Sequence, residues 1–111
     1  MNVKDLHGSW IKIKFCRSKS KLVKKLGGVY ALTNYEGTIL YIGKSVNIQR
    51  RFIEHLDTPN KNTLTSKGRA FWFYYQKCDK NSEHVVERGL LLSSILATGD
   101  LPPLNKCYAP G

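Results

Sequence analysis

Gly28-Val29-Tyr30-Ala31-Leu32-Thr33-Asn34-Tyr35-Glu36-Gly37-Thr38-Ile39-Leu40-Tyr41-Ile42-Gly43 is the stretch from which the fold is read. Val29 to Thr33 and Thr38 to Ile42 are rich in β-branched and aromatic residues, and they enclose the turn-forming Asn34-Tyr35-Glu36-Gly37, so a β-hairpin is expected. If Thr33 pairs with Thr38, Tyr30 lies directly opposite Tyr41. Opposed residues on antiparallel strands have Cβ atoms roughly 5 Å apart, which would set two phenols on one small patch. Gly28 and Gly43, at the outer ends, are expected to leave that patch open to a ligand.

A helix is expected next, from about Val46 to Leu56. Ser45 or Asn47 can cap it, and Ile48, Phe52 and Leu56 recur at i, i+4 and i+8 as its apolar stripe. Arg51 and His55 are also four apart and therefore stack on one face of that helix. A guanidinium and an imidazole would then stand beside two phenols.

These residues resemble the catalytic core of the GIY-YIG nuclease family, with Val29 in place of the usual isoleucine. The resemblance runs from Gly28 to about Asn105. It takes in both tripeptides, an arginine eight residues after Gly43 (Arg51), Lys44-Ser45 after the second tripeptide, a later helical glutamate (Glu87) and an asparagine (Asn105) in Pro102-Pro103-Leu104-Asn105. Glu83 competes with Glu87 for its role. The resemblance implies an α/β (α+β) sandwich, with a small antiparallel three-stranded sheet and flanking helices. It also implies metal-dependent hydrolysis of phosphodiester bonds in DNA. On it, Tyr30 deprotonates or orients the attacking water, Arg51 meets the scissile phosphate, Glu87 holds a divalent metal, and Tyr41 and His55 complete the proton-transfer network. Lys44 is expected to contact substrate, and Asn105 to orient neighbouring groups or backbone within the binding site. Tyrosine, with its pKa near 10, is a poor base at neutral pH, so Lys44, Arg51 or the metal is expected to favour the Tyr30 phenolate. Whether Tyr30 or His55 takes the first proton is left open by the residues.

Glu87 is informative without the family. It falls in an apolar run, Val85-Val86 to Leu90-Leu91-Leu92, within a helix expected from Asn81 or Ser82 to about Ala97. A carboxylate in such surroundings must be paired, neutralised or metal-bound, because an isolated buried charge costs several kcal/mol. Mg²⁺, or Mn²⁺ in its stead, takes oxygen ligands and keeps waters and phosphate oxygens around one or two carboxylates. The competing reading pairs Glu87 with a surface cation at the helix edge.

Composition agrees with a nucleic-acid partner. The chain has 111 residues, 18 Lys plus Arg against 8 Asp plus Glu, and a formal net charge of +10. That is one domain, 1–111, read as a basic N-terminal extension (1–25) and a core (26–107). Lys12, Lys14, Arg17, Lys19, Lys21, Lys24 and Lys25 fall in a segment without an acid. Of these Lys21, Lys24 and Lys25 are the expected phosphate contacts nearest the core, with binding that weakens steeply in salt. Asp57 to Arg69 reads as a polar loop whose Lys61, Lys67 and Arg69 form a second basic group, Lys67 and Arg69 being its expected substrate contacts. Cys16, Cys78 and Cys107 show no pairing or metal-binding spacing and read as idle thiols of a reducing compartment. No signal peptide or membrane span is recognisable, so a soluble cytoplasmic protein is expected.

Trp10 to Phe15 reads as an extended segment and Arg17 to Leu26 as a short basic helix. Ala70 to Gln76 is a strand with Phe71, Phe73 and Tyr75 against Trp72 and Tyr74, the signature of a buried central strand. Core packing is therefore favoured over base stacking for these rings. A rival reading starts from Lys67-Gly68-Arg69-Ala70-Phe71-Trp72-Phe73-Tyr74, which partly resembles the RNP1 strand of RNA-recognition domains, while Val29-Tyr30-Ala31-Leu32 partly resembles RNP2. Such a module needs a helix between its first two strands, where this chain has a tight hairpin. The second rival is a nuclease fold that only binds nucleic acid. With the core filling most of the chain, limited or structure-guided sequence preference is expected on DNA, with RNA as the alternative substrate. A homodimer is expected if both strands are cut.

Overall fold

The computed structural model describes residues 2–6, 8–78, 86–87, 89–90 and 102–106. A four-stranded antiparallel sheet forms its centre, comprising β1 (Ile11–Lys14), β2 (Gly28–Thr33), β3 (Ile39–Ser45) and β4 (Trp72–Lys77) in the order β1-β4-β2-β3. The expected class is present, with one strand more than expected. The extra strand is β1, whose Ile13 side chain faces inward while Ile11, Lys12 and Lys14 stay exposed. Of the basic N-terminal segment, Ile13, Phe15 and Val23 are part of the main core.

The hairpin turn is built by Asn34. Its Oδ1 accepts from the N–H groups of Glu36 (3.0 Å) and Thr38 (2.9 Å), and Gly37 supplies the positive φ of +92° that the turn needs. The pairing that follows differs from the expected register. Thr33 pairs with Ile39, a bulge follows, and Leu32 pairs with Tyr41 and Tyr30 with Gly43. Relative to the expected pairing, Tyr41 has moved by two residues, an even step that keeps it on the same sheet face as Tyr30.

The glycines explain this register, and they do not leave space for a ligand. A Cβ at Gly43 would overlap the Tyr30 hydroxyl and ring, so Tyr30 fills the volume over Gly43. A Cβ at Gly28 would collide with the Gln76 carbonyl, so Gly28 allows β4 to approach β2.

After β3, Asn47 caps helix α1 (Ile48–Leu56) through its side chain, which accepts from the Arg50 N–H at 3.1 Å. Ile48 and Phe52 are buried against the sheet, with Phe52 edge-on to Phe15 and Phe73 (ring centroids 5.5 and 4.9 Å). The expected basic helix is a 3₁₀ segment, Arg17–Leu22, held beside α1 by Gln49 Nε2–H donating to Ser20 O and by an Arg17–Asp57 ion pair. The expected polar loop contains a 3₁₀ turn, Pro59–Lys61. Asn62 latches that turn onto the end of α1 by donating to the carbonyls of His55, Leu56 and Thr58.

The opposite sheet face is covered by a smaller cluster, Ala31, Ile39 and Ile42 under Val3, Leu6 and Leu90. Leu90 belongs, with Val86, Glu87 and Gly89, to the described helical part of the expected 81–97 helix, most of which lies outside the described residues together with Glu83. A short helix α2 (Pro103–Lys106) closes the described chain. Among the described residues no helix is long and apolar enough to cross a membrane.

Candidate active site

Tyr30, Tyr41 and His55 meet on the α1 face of the sheet. Tyr30 is buried, stacked on Phe73 at 5.2 Å between ring centroids, and its Oη lies 2.5 Å from His55 Nε2. The Tyr41 ring lies 6.0 Å from that of Tyr30 and 5.4 Å from the His55 ring. The helical spacing of Ile48, Phe52 and His55 accounts for this: all three are buried in the same apolar seam, and His55 ends it with a polar atom aimed at the one polar atom of Tyr30.

Burial also sets the protonation states. The Tyr30 phenol is held well above its usual pKa, first by desolvation and then by Tyr41 and Glu87, while Arg51 pulls the other way. His55 is pushed down to about 3, first by desolvation and then by the charges of Lys61 and Arg51. Near neutral pH both groups are uncharged, and the imidazole tautomer with Nε2 unprotonated is the one that can accept the phenol hydrogen. The expectation that nearby cations favour the Tyr30 phenolate is therefore corrected, because in this arrangement burial outweighs Arg51.

Arg51, one turn before His55, has its Nε buried without a hydrogen-bond partner among the described residues. Leaving a guanidinium N–H unsatisfied is costly, and an anion docked there would satisfy it. Glu87 is half-buried, and its negative charge bears on Tyr30. The described residues contain no group of three or more His, Cys, Asp or Glu able to hold a metal by themselves. A single carboxylate fits a hard cation that completes its shell with water and phosphate oxygens, so the donor set is compatible with Mg²⁺ or Mn²⁺ at Glu87.

Lys61 is the residue the sequence did not single out for this pocket. It is only 6% exposed, and its Nζ lies 4.4 Å from the centre of the Tyr41 ring. The Asn62 latch turns the loop back so that this ammonium enters beside His55. One lysine in a polar loop has no periodicity from which burial could be read.

The remaining expected contacts are dispersed. Lys44 pairs with Val29, on the face carrying Ala31 and Ile42 rather than the phenols. Asn105 accepts from Ile42 N–H (2.9 Å) and donates to Ile42 O (3.0 Å), acting as a one-residue strand on the outer edge of β3. Its amide thus orients the backbone of the second tripeptide. Lys21, Lys24 and Lys25 are exposed on and after the 3₁₀ segment beside α1. Lys67 and Arg69 are exposed near the hairpin turn, where Asn34 Nδ2–H donates to Lys67 O at 2.7 Å.

Known proteins resemble the chain over much of its length. Residues 26–91 match the family model described as the GIY-YIG catalytic domain. The chain is 26% identical over 80 residues to UvrABC system protein C of Dictyoglomus thermophilum, and 47% identical over 45 residues to excinuclease Cho of Salmonella typhimurium. These alignments cover 70% and 40% of this chain but only 12% and 15% of those longer relatives. Two solved point mutants of the GIY-YIG N-terminal endonuclease domain of UvrC from Thermotoga maritima, each bound to its catalytic divalent cation, share the fold. They superpose with TM-scores of 0.55 and 0.53 at 20% and 22% identity, over 69% of this chain and 86% of theirs.

Proposed function

Because the chain belongs to the GIY-YIG catalytic-domain family, we propose that it is a divalent-metal-dependent endonuclease that hydrolyses phosphodiester bonds in DNA. The observation that carries this reading is the buried, uncharged Tyr30–His55 pair with, one helical turn away, a guanidinium whose Nε has no partner among the described residues.

Hydrolysis requires a water to lose a proton as its oxygen bonds to phosphorus, and a sugar oxygen to depart. Tyr30 is placed to relay that proton, giving its own hydrogen to His55 Nε2 while accepting one from the water. His55 is a weak base while Arg51 and Lys61 face it unneutralised. A phosphate anion docked on Arg51 offsets part of that positive field and raises the basicity of the imidazole when substrate is present. Arg51 stabilises charge on the phosphoryl oxygens. Lys61, against Tyr41, keeps a positive charge beside the pair that adds to desolvation in lowering the basicity of the imidazole. Glu87 would hold the divalent metal, which when bound would supply charge stabilisation to the departing oxygen. Asn105 maintains the β3 backbone from which Tyr41 projects.

One such centre cuts one strand, so double-strand breaks need two copies or successive nicks. The test is incubation with supercoiled plasmid, with and without Mg²⁺, beside Glu87→Ala and Arg51→Ala. Metal-dependent nicking lost in both variants supports the reading; unchanged nicking in either overturns that residue's role, and tight binding without cutting favours a binding module.

A further inference from the structure

We propose that the hairpin-turn end of the sheet is a second nucleic-acid contact, where Tyr35 stacks on an unpaired base and Lys12, Lys14, Lys67 and Arg69 take the flanking phosphates of a single strand. Tyr35 is 71% exposed, yet it is not loosely held. Asn34 fixes the turn, Trp72 Nε1–H donates to the Tyr35 carbonyl at 3.1 Å, and Phe71 supports the ring edge-on at 5.0 Å. An aromatic ring kept in water on a rigid turn adds little to folding, whereas a preorganised ring is what base stacking needs.

Cations interleave with these rings. The Lys12 ammonium lies 4.0 Å from the Trp72 ring centre and the Lys14 ammonium 5.5 Å from that of Phe71. The backbone of Lys67 is tied to Asn34, with Arg69 two residues on. Lysines on an edge strand discourage strand addition, which accounts for Lys12 and Lys14 but not for a supported, solvent-facing tyrosine between them and a second basic loop. Exposed cation–π contacts are weak, so both ammonium groups can exchange a ring for a phosphate. Against these four cations the turn sets one carboxylate, Glu36. The combination of basic side chains and an accessible π face selects a single strand over a duplex, whose base faces are already stacked.

The surface is separate from the reaction centre. Thr33 is three residues beyond Tyr30, about 10 Å along the strand, and Trp72, paired with Thr33, faces away from the phenols. Binding there would grip an unpaired segment next to a cut, giving preference for branched, flapped or gapped DNA without reading its sequence. The inference does not rest on the cleavage reading, because it is tested without metal.

The experiment measures anisotropy of a labelled twelve-nucleotide oligo(dT), and of a duplex of equal length, titrated with the full chain in EDTA. Tyr35→Leu keeps an apolar side chain against Phe71 but removes the stacking face, and Tyr35→Phe keeps it. The expected result is roughly tenfold weaker oligo(dT) binding for Tyr35→Leu, the order of one lost stacking ring, with Tyr35→Phe near wild type and duplex binding changed less than about twofold. Lys12→Ala and Lys14→Ala should each reduce the salt slope by about one. Equal oligo(dT) binding by Tyr35→Leu and Tyr35→Phe would overturn the proposal, as would equal losses on single strand and duplex, or saturation only with a protein partner. A chain that binds oligo(dT) in this manner and never nicks plasmid refutes the nuclease reading alone.

Discussion

Tyr30 and Tyr35 are five residues apart in one hairpin, and they are opposite in almost every physical respect. Tyr30 is 1% exposed, bonded to His55 and held neutral, while Tyr35 is 71% exposed on the turn. The lysines divide the same way: Lys61 is buried against Tyr41, and Lys12 is exposed over Trp72. Under the proposed roles, burial separates the phenol and ammonium assigned to chemistry from those assigned to a contact surface. At the buried end a small change in charge or volume acts on pKa and packing, whereas at the exposed end water screens it.

The largest effect that would sharpen this contrast is expected from Arg51→Ala. Loss of a preorganised donor to the phosphoryl oxygens should lower the nicking rate by roughly 10²–10³-fold, measured as initial rates on supercoiled plasmid. Gly43→Ala comes next. The added methyl would meet the hydroxyl and ring of Tyr30, which is buried and stacked on Phe73, so thermal or urea unfolding should show a loss of about 1–3 kcal/mol, the usual cost of overpacking. Tyr35→Ala, on the same hairpin, should stay within about 0.5 kcal/mol of wild type. Equal losses for the two variants would break the contrast.

A third difference lies in acid. The folded His55 pKa of about 3 is below the unfolded value of 6.5, so the unfolded chain binds the extra proton between these values. The stability due to a neutral His55 is complete above about pH 6.5 and is lost as pH falls towards 3, at up to about 1.4 kcal/mol per pH unit. His55→Gln should flatten that part of the stability–pH curve. The smallest effect is expected of Lys61→Met, which retains the stem and removes the charge. In a proton NMR titration the His55 pKa should rise from its low value without reaching 6.5, because desolvation and Arg51 remain; Lys61→Arg should restore it.

The elements at the hairpin were the most legible. Asn34 and Gly37 announce the turn, and Asn47 with Ile48, Phe52 and Leu56 announces α1, because capping and periodicity are local rules. Register was not legible to the same degree. Glycine at position 43 reads in isolation as open space, and only the folded sheet shows that Tyr30 occupies it. β1 was legible as extended but not as a sheet member, since its partner, β4, is about 60 residues away along the chain. In the site, Tyr30, Tyr41, Arg51 and His55 were legible through spacing. Lys61 was not, because its burial depends on Asn62 bonding back to three carbonyls of a helix end. The protonation states were also hidden, since a burial of this depth outweighs the cations that sequence alone places nearby.

The central claim is that the Tyr30 hydroxyl, handed to His55, passes on the proton of the attacking water. Tyr30→Phe tests it most directly, as the ring, its stacking on Phe73 and its fit over Gly43 are all retained. Plasmid nicking in Mg²⁺ should fall by roughly 10²–10⁴-fold while the near-ultraviolet circular dichroism of the folded chain is preserved. Nicking by Tyr30→Phe at the wild-type rate would contradict the account.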